Sequence, residues 1–275
     1  MLSVNQAKRI LKTRPFYRNV QPSSPWDSFL EHFQRNESVQ ESQKEITLPE
    51  LESAQRDHLL RSLEIFRRGE TGEGRILNQI ELLSYYPVDQ EYRKSLRLFV
   101  AEEGRHARIL GQIIKQLQGE GDPSPLTQIN ASESENSISY RLFYRARGLM
   151  GVRLKLMVLL CAEIIGCESY EILSRALGNS KAGERLMEIR QDEEMHLRFH
   201  CQFFHLLGVR PIFRKLWNML YLPIALLACF TVILEHRKTF KIFDVPLRDV
   251  GSQFWKRILT GMQWIKDGIP MEEAK

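Results

Sequence analysis

Residues 192–196 read Asp-Glu-Glu-Met-His, and they lie inside a helix-forming stretch from about Lys181 to Leu207. On a helix, residues three apart project from the same face, so Glu193 and His196 can bind one metal ion together. At average residue frequencies, a single Glu-x-x-His occurs by chance in about half of chains of this length. The motif alone is therefore only weak evidence for a metal site.

The sequence contains the pattern a second time, as Glu103-Gly-Arg-His106, inside another helical stretch from about Gln90 to Gln118. In a four-helix bundle, a di-metal carboxylate site takes a Glu-x-x-His from each of two helices and one Glu from each of the other two. Because the helices of a hairpin are antiparallel, the partner Glu should lie as far before the turn as the Glu-x-x-His lies after it. The turn at 87–88 relates Glu103 to Glu73.

The second motif has a partner at the same interval. A turn at Gly178 relates Glu193 to Glu163, and both turns were identified independently from their Pro and Gly residues. Two hairpins with the same internal spacing favour a metal site over isolated charges at the edge of an apolar stripe. The sequence predicts that six residues bind the metal: Glu73, Glu103, His106, Glu163, Glu193 and His196.

Neighbouring glutamates compete for two of these positions. Glu70 precedes Glu73 by one helical turn and could take its place. Glu168 and Glu171 could likewise replace Glu163. These alternatives stay open at the level of sequence.

The remaining pattern predicts an all-α fold, since Pro and Gly cluster in a few places and leave long uninterrupted stretches between them. We expect a four-helix bundle with one long crossover and additional C-terminal helices. The bundle would span 48–208, with hairpins at 49–118 and 140–207 joined by a polar linker. Residues 1–47 would form an N-terminal extension, and 209–275 a C-terminal helical region that packs on the bundle.

These motifs resemble those of the ferritin-like di-iron carboxylate superfamily, which includes rubrerythrins, aldehyde-deformylating oxygenases and amine N-oxygenases. The resemblance covers about residues 49–207, and its specific part is the series Glu, Glu-x-x-His, Glu, Glu-x-x-His. It implies a ferritin-like four-helix bundle that holds two Fe ions, with a Mn/Fe pair as the alternative. The donor set agrees, because carboxylates with few imidazoles suit Fe or Mn better than Zn or Cu.

The resemblance also implies supporting residues around the ligands. In several members of the superfamily, an acidic residue immediately before the ligand Glu bonds the histidine of the opposite motif. By that resemblance Glu102 would support His196, and Asp192 would support His106. His200 lies one turn beyond His196, and it is either a third imidazole ligand, as in amine N-oxygenases, or a histidine of the core.

The function that the resemblance implies is an O₂-dependent oxidase or oxygenase acting on an apolar small molecule. An external electron donor such as a ferredoxin would supply reductant, because the sequence has no flavin or nicotinamide fingerprint and no rubredoxin-like set of cysteines. Two alternatives remain. One is a ferroxidase or other iron-handling protein, and the other is a monotopic membrane di-iron oxidase.

Charge and hydropathy bear on location and partners. The net charge is +5, but no dense basic block carries interleaved aromatic residues, so nucleic-acid binding is not expected. The cysteines form no Cys-x-x-Cys pair and the first residues lack an apolar signal region, which together indicate a cytoplasmic protein. The apolar segment 217–234 is typical of a buried core helix, or of an interfacial or membrane-embedded helix. Peripheral membrane contact and a homodimer stay open.

Overall fold

The computed structural model describes residues 24–38, 46–71, 77, 79–80, 83, 86–119, 151–208 and 210–270. Of these residues 84% are helical and none lies in a strand, which confirms the predicted all-α class. The described ranges contain seven helices: α1 (Asp27–Ser38), α2 (Ser53–Glu70), α3 (Gln90–Gln118), α4 (Val152–Ala176), α5 (Lys181–Leu207), α6 (Pro211–Ile242) and α7 (Leu247–Asp267).

The first hairpin pairs α2 with α3. The two helices are antiparallel, because Arg56 near the start of α2 donates from Nη1 to the Leu117 carbonyl at the end of α3, at 3.0 Å. The sequence placed the start of α2 near Pro49, and that start is wrong. The backbone N–H of Glu52 donates to Gln55 Oε1 at 3.0 Å, and this reciprocal cap begins the helix at Ser53.

The second hairpin pairs α4 with α5, and its turn lies at Gly178 as the sequence predicts. Gly178 has a φ of +58°, a left-handed conformation that favours glycine. Ser180 then caps α5 by accepting from the Gly183 N–H at 3.1 Å. Ser174 of α4 donates from its hydroxyl to the Gly183 carbonyl at 2.8 Å, which fixes the end of one helix against the start of the next.

Helix α1 lies in the region that the sequence predicts as an N-terminal extension. It covers the contact between α3 and α5 with an aromatic cluster. Trp26 and Phe33 are completely buried, and both pack against Phe199 of α5 at ring-centroid distances of 5.2 and 5.6 Å. Trp26 also donates from Nε1 to the Pro87 carbonyl at 2.9 Å. This cluster closes one side of the bundle against water.

The C-terminal helices pack on the bundle. Helix α6 contacts α2, α4, α5 and α7, and α7 contacts α4 and α5. The expectation of a buried core helix is wrong for α6, because only 28% of its most apolar 18-residue window is buried. One face of α6 meets the bundle and the opposite face is exposed. Among the described residues, α6 is the one helix long and apolar enough to cross a membrane.

The Ser180 cap gives a direct test of the second hairpin. Replacing Ser180 with Ala should lower the free energy of unfolding by about 1 kcal/mol, because the Gly183 N–H loses its acceptor. Ser53→Ala is the matched control, since Ser53 is exposed at the first position of α2. Urea unfolding followed by circular dichroism measures both. Equal stabilities for the two variants would show that Ser180 does not anchor α5.

Candidate metal centre

Four side chains with metal-binding groups meet in the interior between α3 and α5. They are Glu103 and His106 on α3 and Glu193 and His196 on α5. All four are buried, and one ligand atom from each lies within 4.8 Å of the ligand atoms of the other three. The two Glu-x-x-His motifs therefore face each other, and together they form a buried cluster that could hold a metal ion.

The imidazoles and carboxylates pair crosswise between the two helices. Nδ1 of His196 lies 2.9 Å from Glu103 Oε1, and Nδ1 of His106 lies 3.1 Å from Glu193 Oε1. Within one motif the distance is longer, 3.9 Å between His106 Nδ1 and Glu103 Oε1. Spacing of three residues places Glu and His of each motif on one face, and the opposing helix supplies the closer partner.

The outer nitrogen of each imidazole contacts a second carboxylate. His196 Nε2 lies 2.8 Å from Glu102 Oε2, and His106 Nε2 lies 3.1 Å from Asp192 Oδ2. These are the two pairs named from the sequence. A carboxylate that accepts from Nε2–H leaves the lone pair of Nδ1 directed into the cluster, which is the tautomer a metal ligand needs.

Asp192 is itself held in place from two sides. Arg105 Nη2 donates to Asp192 Oδ2 at 2.7 Å, and Asn36 Nδ2 of α1 donates to Asp192 Oδ1 at 3.0 Å. The carboxylate that orients His106 is therefore fixed by α3 and α1 together. Burial raises the pKa of Asp192, but its hydrogen bond to His106 and the Arg105 charge outweigh burial, and its pKa lies below the usual range.

The inward atoms of the cluster lack hydrogen bonds. Within the described part of the chain, Glu103 Oε1, His106 Nδ1, Glu193 Oε1 and His196 Nδ1 are buried and none has a hydrogen-bond partner. Leaving a buried acceptor unsatisfied costs roughly 1–3 kcal/mol, and more for a charged group. A cation bound among these four atoms would satisfy all of them at once, so the residues present fit a metal.

Glu163 of α4 lies on the His196 side of the cluster. Glu163 is 2% exposed, and its Oε2 lies 3.5 Å from His196 Nδ1. Its other oxygen lies 3.8 Å from His200 Nε2. His200 is fully buried, and neither of its ring nitrogens has a hydrogen bond to a described residue. Burial and the neighbouring His196 lower the pKa of His200 to about 3, so its imidazole is neutral.

Glu70 of α2 occupies the matching position on the His106 side. Its Oε2 lies 3.6 Å from His106 Nδ1, and its Oε1 accepts a short hydrogen bond from the Tyr170 hydroxyl of α4. Glu73, the residue predicted for this position, lies outside the described residues. In the described part of the chain, the α2 carboxylate at the cluster is therefore Glu70, the alternative named from the sequence.

The pKa values of two carboxylates in the cluster are raised well above their usual range. Burial, followed by the charges of Glu70 and Glu193, raises the pKa of Glu103 well above its usual range. Burial, followed by the charges of Glu193 and Glu103, does the same to Glu163. Excess negative charge is therefore concentrated in a dry space, and it requires protons or a cation for balance.

The pKa values of the two imidazoles are raised, although burial alone would lower them. Burial lowers the pKa of His196, but the nearby carboxylates of Glu102 and Glu163 outweigh burial and raise its pKa to about 10. The carboxylates of Asp192 and Glu193 likewise outweigh burial at His106 and raise its pKa well above the usual range. Without a cation, the cluster therefore keeps protons on its imidazoles.

Gly166 makes room for one of the ligands. A Cβ atom at Gly166 would lie 2.7 Å from Glu193 Oε2 and 2.9 Å from its carboxyl carbon. Gly166 follows Glu163 by three residues, so it lies on the face of α4 that meets the cluster. Gly166 and Tyr170 were not among the residues predicted for the metal site, although both lie on the same face of the predicted helix as Glu163. Their spacing from Glu163 was the signal that could have identified them.

The other candidate glutamates of α4 are paired with arginines away from the cluster. Glu168 Oε1 accepts from Arg257 Nε of α7 at 2.6 Å, and Glu171 Oε2 accepts from Arg190 Nε of α5 at 3.0 Å. These ion pairs use the carboxylates that could have replaced Glu163. Arg257 also donates to Glu194 of α5 at 2.6 Å, so α7 ties α4 and α5 together beside the site.

No family model, no curated protein and no solved structure matches this chain. The fold and site define a helical protein with a buried Glu/His cluster that could bind metal. Proposals about its function therefore rest on the geometry of that cluster.

The space at Gly166 gives a prediction for metal affinity. Gly166→Ala should weaken metal binding by about 10- to 100-fold, because the new methyl group displaces the Glu193 carboxylate. Gly104→Ala is the matched control, since a Cβ there meets only Arg108 Nη1 at an ordinary 3.7 Å. Titration with Mn²⁺ measures both variants. Wild-type affinity in Gly166→Ala would show that Glu193 is not a ligand.

The raised pKa values of the cluster predict how metal binding depends on pH. Folded-state pKa values of Glu103, Glu163 and His196 are raised, so the stability they contribute is lost as pH rises through those values. Metal binding requires the same groups to be deprotonated, so affinity rises with pH. The increase in unfolding temperature on adding Mn²⁺ should therefore be larger at about pH 8 than at about pH 6.

A Glu103→Gln variant is the control for this pH dependence. It keeps the shape of the side chain but removes one ligand charge, so Mn²⁺ should raise its unfolding temperature much less at either pH. A wild-type increase that stays constant or shrinks with rising pH would contradict the assignment of these groups as ligands.

Proposed function

We propose that this chain is a ferritin-like di-iron carboxylate protein that activates O₂ and oxidises or oxygenates an apolar small molecule. The observation that carries the proposal is the inward set of four unsatisfied ligand atoms, two from each Glu-x-x-His motif. Each imidazole in that set is oriented from outside by its own carboxylate. An accidental group of buried charges would have no reason to combine both features.

The arrangement of helices supports the ferritin-like class. Each antiparallel hairpin contributes a Glu-x-x-His from its second helix and a carboxylate from its first, Glu70 in one and Glu163 in the other. The segment from Gly119 to Gly151 separates the hairpins, and its length suffices for a crossover between two ends of a bundle. Glu103, His106, Glu193 and His196 would hold the metal, with Glu70 and Glu163 beside the two imidazoles.

Iron is the metal we propose, with a Mn/Fe pair as the alternative. Four carboxylates and two imidazoles form an oxygen-rich donor set, which suits Fe or Mn. When bound, two ferrous ions supply electrons for the reduction of O₂. An external donor such as a ferredoxin would provide the electrons for repeated turnover.

The chain's own residues orient the ligands and exclude water. With a metal bound, Glu102 and Asp192 would hold both imidazoles in the tautomer that leaves the Nδ1 lone pair free. Burial, followed by the charge of Glu70, raises the pKa of Tyr170, so the phenol keeps its proton. Its hydroxyl donates a hydrogen bond to Glu70. This hydrogen bond fixes the Glu70 carboxylate beside His106.

Apolar residues surround the ligands and support an apolar substrate. The ring of Phe99 contacts the imidazoles of His196 and His200 at centroid distances of 4.6 and 5.1 Å. The following residues lie one helical turn from a ligand and are buried: Phe99, Leu110, Leu160 and Ile189. In such surroundings an apolar molecule is stabilised and a charged one is not.

Anaerobic loading with ferrous iron followed by exposure to O₂ tests the proposal. Wild-type protein should develop a transient visible absorbance, and Glu103→Ala and Glu193→Ala should lose it, because each removes a ligand. Glu184→Gln is the matched control, since it removes an exposed carboxylate from the first turn of α5. Absorbance is recorded by stopped flow.

Three outcomes would contradict the proposal. The wild type could remain folded and helical without reacting, or the two ligand variants could react as the wild type does. Continued oxidation of added iron into a ferric polymer, with no dependence on an organic substrate, would instead indicate iron handling.

A further inference from the structure

The exposed face of α6 is a continuous apolar stripe. Its side chains are spaced three and four residues apart, so they lie along one side of the helix. Ile212 is 73% exposed at one end, Phe230 is 60% exposed near the other, and the stripe extends over about 33 Å of helix. The exposed large apolar residues of α6 are Ile212, Phe213, Leu216, Met219, Leu220, Leu226, Leu227, Phe230 and Leu234.

A stripe of this size is unusual on a soluble monomer, where large exposed apolar patches mark interaction surfaces. The segment 211–234 contains no Asp or Glu. Basic residues lie at both ends instead: Arg210 and Lys215 near the start of α6, and Arg237, Lys238 and Lys241 near its end. These five side chains are exposed.

We propose that this stripe docks the protein onto an anionic lipid bilayer, with α6 lying in the plane of the interface. An apolar face flanked by basic residues has the chemistry of a helix that inserts between acyl chains while Lys and Arg contact anionic headgroups. A second copy of the chain fits this surface less well. Parallel or antiparallel pairing of two α6 helices would bring basic ends against basic ends, with no acidic residue on the stripe to balance them.

The inward face of α6 shows why it lies on the bilayer and does not cross it. Three polar side chains on that face are buried in contacts with other helices. Tyr221 donates to the Ile258 carbonyl at 3.1 Å, His236 Nδ1 lies 2.8 Å from Ser62 Oγ, and Thr239 donates to the His58 carbonyl at 3.0 Å. Crossing the membrane would require these contacts with α7 and α2 to break, whereas lying in the interface leaves them intact.

Flotation with lipid vesicles tests the apolar part of the proposal. Wild-type protein should float with vesicles of phosphatidylcholine and phosphatidylglycerol and much less with phosphatidylcholine alone. Phe230→Gln should reduce the partition coefficient about tenfold, because a buried aromatic contact with the acyl chains is lost. Tyr86→Gln should have no effect, since Tyr86 is 62% exposed, as Phe230 is at 60%, but lies outside α6.

The basic ends are tested with Arg237→Gln/Lys238→Gln. This double variant should bind anionic vesicles at least tenfold more weakly, since each basic residue near the surface contributes about fivefold to binding. Lys181→Gln is the control, because Lys181 is an exposed basic residue at the start of α5. Added salt should weaken wild-type binding, as expected for attraction between surface charges.

Several results would overturn the proposal. The folded wild type could fail to float, which would mean that a second copy or another segment of this chain covers the stripe. Gel filtration of wild type and Phe230→Gln would then distinguish a dimer from a monomer. Equal binding to neutral and anionic vesicles, or wild-type binding by Phe230→Gln, would also contradict it. Metal content of Phe230→Gln should be unchanged, so loss of membrane binding is separable from failure of the metal site.

Discussion

At the centre of the bundle, two imidazole Nδ1 atoms lie 2.9 Å and 3.1 Å from carboxylate oxygens, and the stability of the whole bundle depends on these two contacts. Lone pairs face lone pairs in a space from which water is excluded, and such an arrangement is stable only when a proton or a metal cation lies between them. Glu102 and Asp192 contribute to this requirement for a proton or a cation, because they contact the outer nitrogens and leave the inner ones free. A metal ion bound among these atoms would meet this requirement for the entire set.

The surrounding structure holds that arrangement rigidly. Each hairpin brings one Glu-x-x-His to the centre, and the remaining helices fix the hairpins against each other. Helix α1 contributes Asn36 to Asp192, and α7 contributes Arg257 to Glu168 and Glu194. These contacts come from elements far apart in sequence, so the site forms only when most of the chain has folded. Rigid support of this kind is what a metal site needs to keep its ligand geometry.

Much of the site was accessible from sequence because helical spacing is regular. The i, i+3 spacing identified both Glu-x-x-His pairs. Equal spacing before and after the turn at Gly178 identified Glu163, whose Oε2 lies 3.5 Å from His196 Nδ1. Equal spacing across the first turn predicts Glu73, which lies outside the described residues, so this position stays a prediction. The described α2 carboxylate at the cluster is Glu70, the alternative one helical turn earlier.

Other features depend on tertiary contacts that no local pattern records. Gly166 matters because the Glu193 side chain occupies the space beside it. Glu168 is excluded from the cluster by Arg257, which lies on a later helix. The apolar composition of α6 was visible in the sequence, but which of its faces remains exposed depends on how α2, α4 and α7 cover the other. The start of α2 at Ser53 likewise followed from the Glu52–Gln55 cap and not from Pro49.

The most direct test of the metal centre is anomalous X-ray diffraction from crystals of the protein loaded anaerobically with ferrous iron. We expect two anomalous peaks about 3.5–4 Å apart, enclosed by Glu103, His106, Glu193 and His196. A single peak there would retain a metal site but contradict the di-iron assignment. Well-ordered ligand side chains with no peak between α3 and α5 would show that this cluster does not bind metal.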